Sequence, residues 1–285
     1  MSEPRPIFDR DLYRRRRALS TRRLSGCDFL HRRAMADVVD RLETVTRAFP
    51  LALFYGTGAL LPMLTPACGV GAAIAADLAE QRLGAERPRL VFDEDRAPLA
   101  AARFDLIVSL LTLHAVNDPV GALAQMRRAL KPDGLLVAVA FGEETLASLR
   151  SALYAAEAAA TGRVAARVAP FAGVRDWGGA LQRAGFALPV ADVDRVKVRY
   201  RSAAGLFRDL RAIGETGCLS ARAGAMTKAT AAALFQQLGP APETTFDLVT
   251  MTAWAPHESQ PKPLKPGAAA HSLAAAVNGD DVSRR

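Results

Sequence analysis

A chain of 285 residues is longer than one minimal α/β domain needs and shorter than two full domains usually take, which implies one sizeable core with additions. Half of the residues are hydrophobic, yet Pro, Gly or charge breaks every apolar stretch well before roughly 18 residues, so no transmembrane helix is expected. Of the net charge of +8, six units fall in residues 1–33, where ten arginines stand against Glu3, Asp9, Asp11 and Asp28, so the excess belongs to one end of the chain and not to a basic domain.

That end reads as a basic arm over residues 1–25, with four consecutive arginines at Arg14–Arg17. Such charge steers association with an acidic protein partner or an anionic membrane face, or it is only a solvated helix; no specific nucleic-acid partner is expected. It lacks the apolar run of a secretory signal, and Asp9 and Asp11 count against a mitochondrial presequence. Cys27, Cys68 and Cys218 lie far apart and form no CxxC pair, which fits neither a disulfide framework nor a tetrahedral metal site. The expected location is the cytoplasm, peripheral to the inner membrane if the arm engages it.

Along the chain, Asp28 to Leu42 carries apolar residues at helical spacing. Leu51–Tyr55 and Gly71–Ala76 are short apolar runs of the kind that form buried parallel strands. Arg89–Phe92 is a third strand, and Phe104–Ser109 is the clearest strand in the chain. A helix is predicted from Pro119 to Leu130, a turn at Lys131–Gly134 and a strand over Leu135–Ala140. Helices follow over Glu143–Ala160, Val174–Ala184, Ala203–Ile213 and Thr227–Leu238, with strands over Val190–Tyr200 and Phe246–Thr252. The division is then a domain over 26–255, with a core at 48–141 and an accessory, substrate-shaping segment at 150–245. From 256 to 285, Pro256, Pro261, Pro263 and Pro266 punctuate a polar, Ala-rich tail expected to be disordered.

Strands alternating with helices imply right-handed βαβ units and a mostly parallel sheet, whose ligand crevice lies at the carboxyl ends of the strands. Gly56-Thr57-Gly58 follows the first strand, where a backbone without side chains can pass close to a nucleotide-like ligand or simply make a tight turn. Leu61 stands where a dinucleotide fingerprint wants its third glycine, which lowers that reading. Asp77 ends the second strand roughly 20 residues on, the place of an acid that accepts hydrogen bonds from ribose hydroxyls; capping the Leu78–Leu83 segment is its alternative. Asp93 and Glu94 end the third strand, placed to meet an adenine amino group or to stay as solvated loop charges. Ser109 ends the fourth. His114 lies just beyond it beside the same crevice, as a candidate catalytic residue or a structural histidine. Trp177 and Trp254 are expected as core or interface aromatics.

Phe104–Ser109 through Asn117-Asp118, the helix after it and Leu130-Lys131-Pro132-Asp133-Gly134 resemble the middle of the class I methyltransferase superfamily. Ile7-Phe8-Asp9-Arg10, Pro170-Phe171-Ala172-Gly173, Arg208-Asp209-Leu210-Arg211 and Trp254-Ala255-Pro256-His257-Glu258-Ser259-Gln260 narrow this to the bacterial relatives of a mitochondrial complex I assembly factor family. The resemblance implies a Rossmann-like sheet with helices on both faces and an accessory helical segment. It further implies S-adenosylmethionine as cofactor, a respiratory complex I subunit as partner and hydroxylation of an arginine in that subunit.

The chain departs from the family pattern at the first strand. Phe54 replaces the acid that would fix the glycine loop, the loop is two residues short, Pro62 and Pro66 interrupt the helix expected next, and Ala115 replaces an aromatic. A shorter loop offers fewer amides to the cofactor and counts against affinity. Three readings therefore stand side by side. One is methyl transfer by proximity and alignment; another is a hydroxylase, for which the chain shows no 2-His-1-carboxylate set; the last is a degenerate fold acting as a non-catalytic assembly module.

Overall fold

The computed structural model describes residues 5–84 and 88–261. Its centre is one seven-stranded sheet: β1 (Phe49–Tyr55), β2 (Val70–Asp77), β3 (Arg89–Val91), β4 (Phe104–Leu110), β5 (Leu130–Phe141), β6 (Ala187–Arg199) and β7 (Glu243–Trp254). The strands lie in the order β3-β2-β1-β4-β5-β7-β6. The first five pair in parallel, and β7 runs antiparallel between β5 and β6.

Strand residues alternate between two cores, as the pleat requires. Phe54, Leu135, Val137, Val139 and Phe141 face one core; Leu53, Tyr55, Leu136, Ala138 and Ala140 face the other. The first core is closed by α2 (Phe29–Thr44), α4 (Ala147–Thr161), α6 (Ala203–Ile213) and α7 (Lys228–Leu238), the second by α3 (Pro119–Ala129) and α5 (Val174–Arg183). Trp177 is buried in the second core, and the partly buried Trp254 packs at the edge of the first beneath the Arg47 guanidinium.

Several expected boundaries shift for identifiable reasons. Between β1 and β2 the covering helix is replaced by two 3-10 turns, Gly58–Met63 and Pro66–Cys68, with Pro62 inside the first. The segment after β2 forms only the 3-10 turn Glu80–Arg82. The Lys131–Gly134 turn is absorbed into β5 as an irregularity around Asp133, whose φ is +60°. The helix expected from Glu143 starts at Ala147, after Leu146 at φ +58°. The expected strands over Val190–Tyr200 and Phe246–Thr252 form as β6 and β7 and complete the sheet beside β5.

The largest correction concerns the basic arm. Residues 10–24 form α1 (Arg10–Leu24), capped by Asp9, whose carboxylate accepts from the Leu12 amide at 2.8 Å. Tyr13, Arg17 and Ser20, at helical spacing, are buried where α1 packs against α6 and the Glu80–Arg82 turn. Only the other face, with Arg14, Arg15, Arg22 and Arg23, is exposed. Of the tail expected from 256, residues 262–285 lie outside the described residues; in the part before them, the Gln260 amide donates to Asp133 and to the Ala255 carbonyl. No described helix is long and apolar enough to cross a membrane.

Candidate functional site

The strand ends named from the sequence do converge, on the carboxyl edges of β2, β1 and β4. Gly56 has a φ of +77°, and a Cβ there would strike the Leu110 carbonyl and lie 2.7 Å from Thr112 Cγ2. Glycine is thus required by the packing of β1 against β4. A Cβ on Gly58 would lie 2.9 Å from the Arg82 carbonyl, so the loop closes onto the turn after β2. Thr57 is buried, and its hydroxyl has no partner.

Asp77 is fully buried, and its partner is Arg17, also fully buried. Arg17 Nε donates to Asp77 Oδ1 at 3.1 Å and Nη2 to Oδ2 at 2.5 Å, a two-pronged pair that a guanidinium makes with a carboxylate. The Ala79 amide also donates to Oδ1, at 2.9 Å, so both oxygens are engaged. Burial works against the Arg17 charge, but the Asp77 carboxylate outweighs it and holds the guanidinium pKa well above its ordinary value.

One turn pair earlier on α1, Arg10 reaches the third-strand acids. Its Nη2 lies 2.7 Å from Asp93 Oδ1 and 3.6 Å from Glu94 Oε2, and its Nε lies 3.7 Å from Asp95 Oδ2. Glu94 Oε1 accepts from Thr112 at 2.7 Å and from Ser109 at 3.2 Å, and burial pushes this carboxyl up. Asp95, which the sequence did not single out, accepts from the backbone amides of Asn117 and Asp118 and orients the entry to α3.

His114 lies across α1 from these groups. Its side chain is buried, and Nε2 lies 3.0 Å from Glu215 Oε2. The other oxygen of Glu215 accepts from the Tyr13 hydroxyl at 3.2 Å, and that hydroxyl accepts from Arg17 Nη1 at 3.3 Å. One chain of hydrogen bonds therefore runs Asp77–Arg17–Tyr13–Glu215–His114. Burial acts to raise the Glu215 carboxyl, but His114, Arg17 and Arg82 outweigh it and keep it below its ordinary value. Arg82 donates to the Arg17 and Ile213 carbonyls, and burial together with Arg17 lowers its pKa to about 10. Beyond His114 a cavity of about 200 Å³ opens between the ends of β4 and β5 and helices α4 and α6, lined largely by aromatic and aliphatic groups.

Residues 53–138 match the family model of the methyltransferase domain. The arginine-hydroxylase NDUFAF5 of zebrafish (Danio rerio) is 34% identical over 94% of this chain and 88% of its own length, and the human protein 35% identical over 94% and 82%. The chain belongs to the NDUFAF5 family. Its fold is that of the class I methyltransferases: a putative methyltransferase of Bacillus halodurans, 15% identical, superposes with a TM-score of 0.52 over 78% of this chain and 98% of its own.

Within the NDUFAF5 family and its superfamily, the crevice just described is where S-adenosylmethionine would be sought. With α1 in place, several of the groups expected to hold it are engaged by this chain's own side chains. The acid positioned for the ribose already accepts three hydrogen bonds, two of them from Arg17. Arg10 occupies the acids at the end of β3, and the glycine turn is backed against protein carbonyls. Phe54 is a fully buried core residue of the β1 face toward α2.

Sequence reading passed over Arg10, Tyr13, Arg17, Arg82 and Glu215. A signal for three of them was present: positions 10, 13 and 17 share one helix face, and the density of neighbouring arginines hid it. Nothing local marked Glu215. Among the described residues no group of His, Cys, Asp and Glu could hold a metal ion, and all three cysteines are free.

Proposed function

We propose that this chain acts as a methyltransferase-fold binding protein in respiratory complex I assembly and works without consuming S-adenosylmethionine. The observation that carries the reading is the buried Arg17–Asp77 pair: a side chain of the protein itself takes the hydrogen-bonding capacity that a ribose would need. Displacing Arg17 would leave a buried charge without its partner, a cost of several kcal/mol that cofactor binding would first have to meet.

The partner-facing surface in this reading is the exposed side of α1, with Arg14, Arg15, Arg22 and Arg23. Those charges act over a Debye length of about 8 Å at physiological salt and suit an acidic surface on a complex I subunit. Peripheral residence at the inner membrane follows from such a partner.

Calorimetric titration with S-adenosylmethionine up to millimolar concentration tests the cofactor half: no binding is expected, and micromolar affinity would return the chain to the methyl-transfer reading. Pull-down of complex I subunits at two ionic strengths tests the partner half. Replacing the four exposed arginines by glutamine, with Arg17 kept, should weaken capture in a salt-dependent way. Capture by anionic vesicles alone would make the surface a membrane contact.

A further inference from the structure

A second pocket, of about 310 Å³, opens where Leu12 and Arg16 on α1 meet the irregular segments 166–167 and 217–223. Backbone contacts fix its walls. The Asp9 amide donates to the Cys218 carbonyl and the Ser220 amide to the Ile7 carbonyl, both at 2.8 Å, and Phe8 bridges to Leu219. On the other side, a Cβ at Gly217 would lie 2.9 Å from the Arg167 carbonyl, so these two segments touch through their backbones. The pocket therefore exists before any ligand arrives.

Its wall is made of leucine, alanine and glycine except for three side chains, and all three are arginines: Arg16, Arg167 and Arg222. Arg167 Nε pairs with Glu157 at 2.5 Å and Arg222 Nη2 with Asp9 at 2.8 Å, which leaves both guanidiniums with further N–H groups. Arg16 has no carboxylate partner among the described residues, and its Nη1 is buried without an acceptor. Burial pushes the neighbouring Cys218 thiol up to about 12, so it supplies no negative charge. Three guanidiniums against two carboxylates leave one positive charge uncompensated and one buried donor unmet, which is the vacancy an anion fills. A carboxylate offers two oxygens and is satisfied by a single guanidinium fork. A phosphate monoester offers three, and here donors arrive from three separate segments.

We propose that this pocket binds a phosphate monoester group, with Arg16 as its principal ligand and the free N–H groups of Arg167 and Arg222 completing the contacts to its oxygens. The pocket uses none of the four exposed arginines assigned above to a complex I subunit and lies outside the crevice, so its failure and the failure of that reading are separate results.

The test titrates inorganic phosphate into the full chain by calorimetry, with acetate as comparator at the same ionic strength. Phosphate is expected to bind at least tenfold more tightly than acetate and to raise the melting temperature of the parent in a concentration-dependent way. Arg16→Gln should weaken phosphate at least tenfold and abolish that rise. Arg16→Lys should recover only part of the affinity, because an ammonium keeps the charge and loses the fork. Arg128→Gln removes the same charge from an exposed position on α3 and should leave binding within twofold. Displacement of phosphate by phenyl phosphate identifies a soluble ester as the source. Exclusion of phenyl phosphate, together with co-sedimentation on phosphatidate-containing phosphatidylcholine vesicles that Arg16→Gln abolishes, identifies a lipid headgroup. Equal affinity for phosphate and acetate, equal losses in Arg16→Gln and Arg128→Gln, or no phosphate binding at millimolar concentration would overturn the proposal.

Discussion

Two concave regions share the carboxyl edge of the sheet, and α1 makes them opposites. In the crevice beside Gly56 and Asp77 the protein supplies its own counter-charges: Arg17 is sealed against Asp77, and Arg10 spans the acids at the end of β3. In the cavity beside His114 the protein supplies a largely apolar wall with no ion pair sealed across it like that of Arg17 and Asp77. A buried charge must be paired, whereas an apolar void costs only its lost contacts. The same fold can therefore close one site with a helix and keep the other open, and the hydrogen-bond chain through Tyr13 and Glu215 makes the two depend on one another.

The sharpest way to break this contrast is Arg17→Met. It strands the fully buried Asp77 carboxylate and is expected to cost about 3–5 kcal/mol in urea denaturation. Arg17→Met combined with Asp77→Leu should recover most of that loss. A single variant as stable as the parent would show that α1 does not seal the crevice.

Arg10→Ala should cost less, about 2 kcal/mol, because its acids keep other hydrogen bonds, with Glu94 retaining Ser109 and Thr112. Loss equal to that of Arg17→Met would place the seal at the end of β3 instead.

His31 sharpens the electrostatic side. It is buried on α2 with both ring nitrogens unpartnered, and burial together with Arg82, Arg17 and His114 depresses its pKa well below the ordinary value. The unfolded chain takes up this proton near pH 6.5 and the folded chain does not, so stability present above that pH is lost as pH falls, by up to about 1.4 kcal/mol per unit. Urea midpoints between pH 7 and 5 should fall in the parent and flatten in His31→Gln. A parallel fall in both would assign the effect to other groups.

Leu153→Phe should change stability least, within about 1 kcal/mol, since the added ring atoms enter existing space. A cost of several kcal/mol would mean that the cavity wall cannot accommodate a ring.

The parallel strands, the strand-end positions of Gly56, Asp77, Glu94 and Ser109, and the missing helix after β1 were legible in the sequence. Each follows from local features: apolar runs, turn residues and proline. The strand-end residues are brought together because parallel strands all deliver their carboxyl ends to one edge. What fills that edge is a long-range matter. Arg17 and Asp77 are 60 residues apart, and Arg10 and Asp93 are 83 apart.

An arginine in a run of four carries no mark of which one will be buried. That choice depends on where α1 lies against α6, and it turned an expected solvated arm into the most buried ion pair of the crevice. Glu215 likewise stands in an irregular stretch after α6, and only its meeting with His114, 101 residues away, gives it meaning. Periodicity and turn chemistry act over a few residues and so reach the fold. The charges at the site find their partners through burial, which only the packed chain decides.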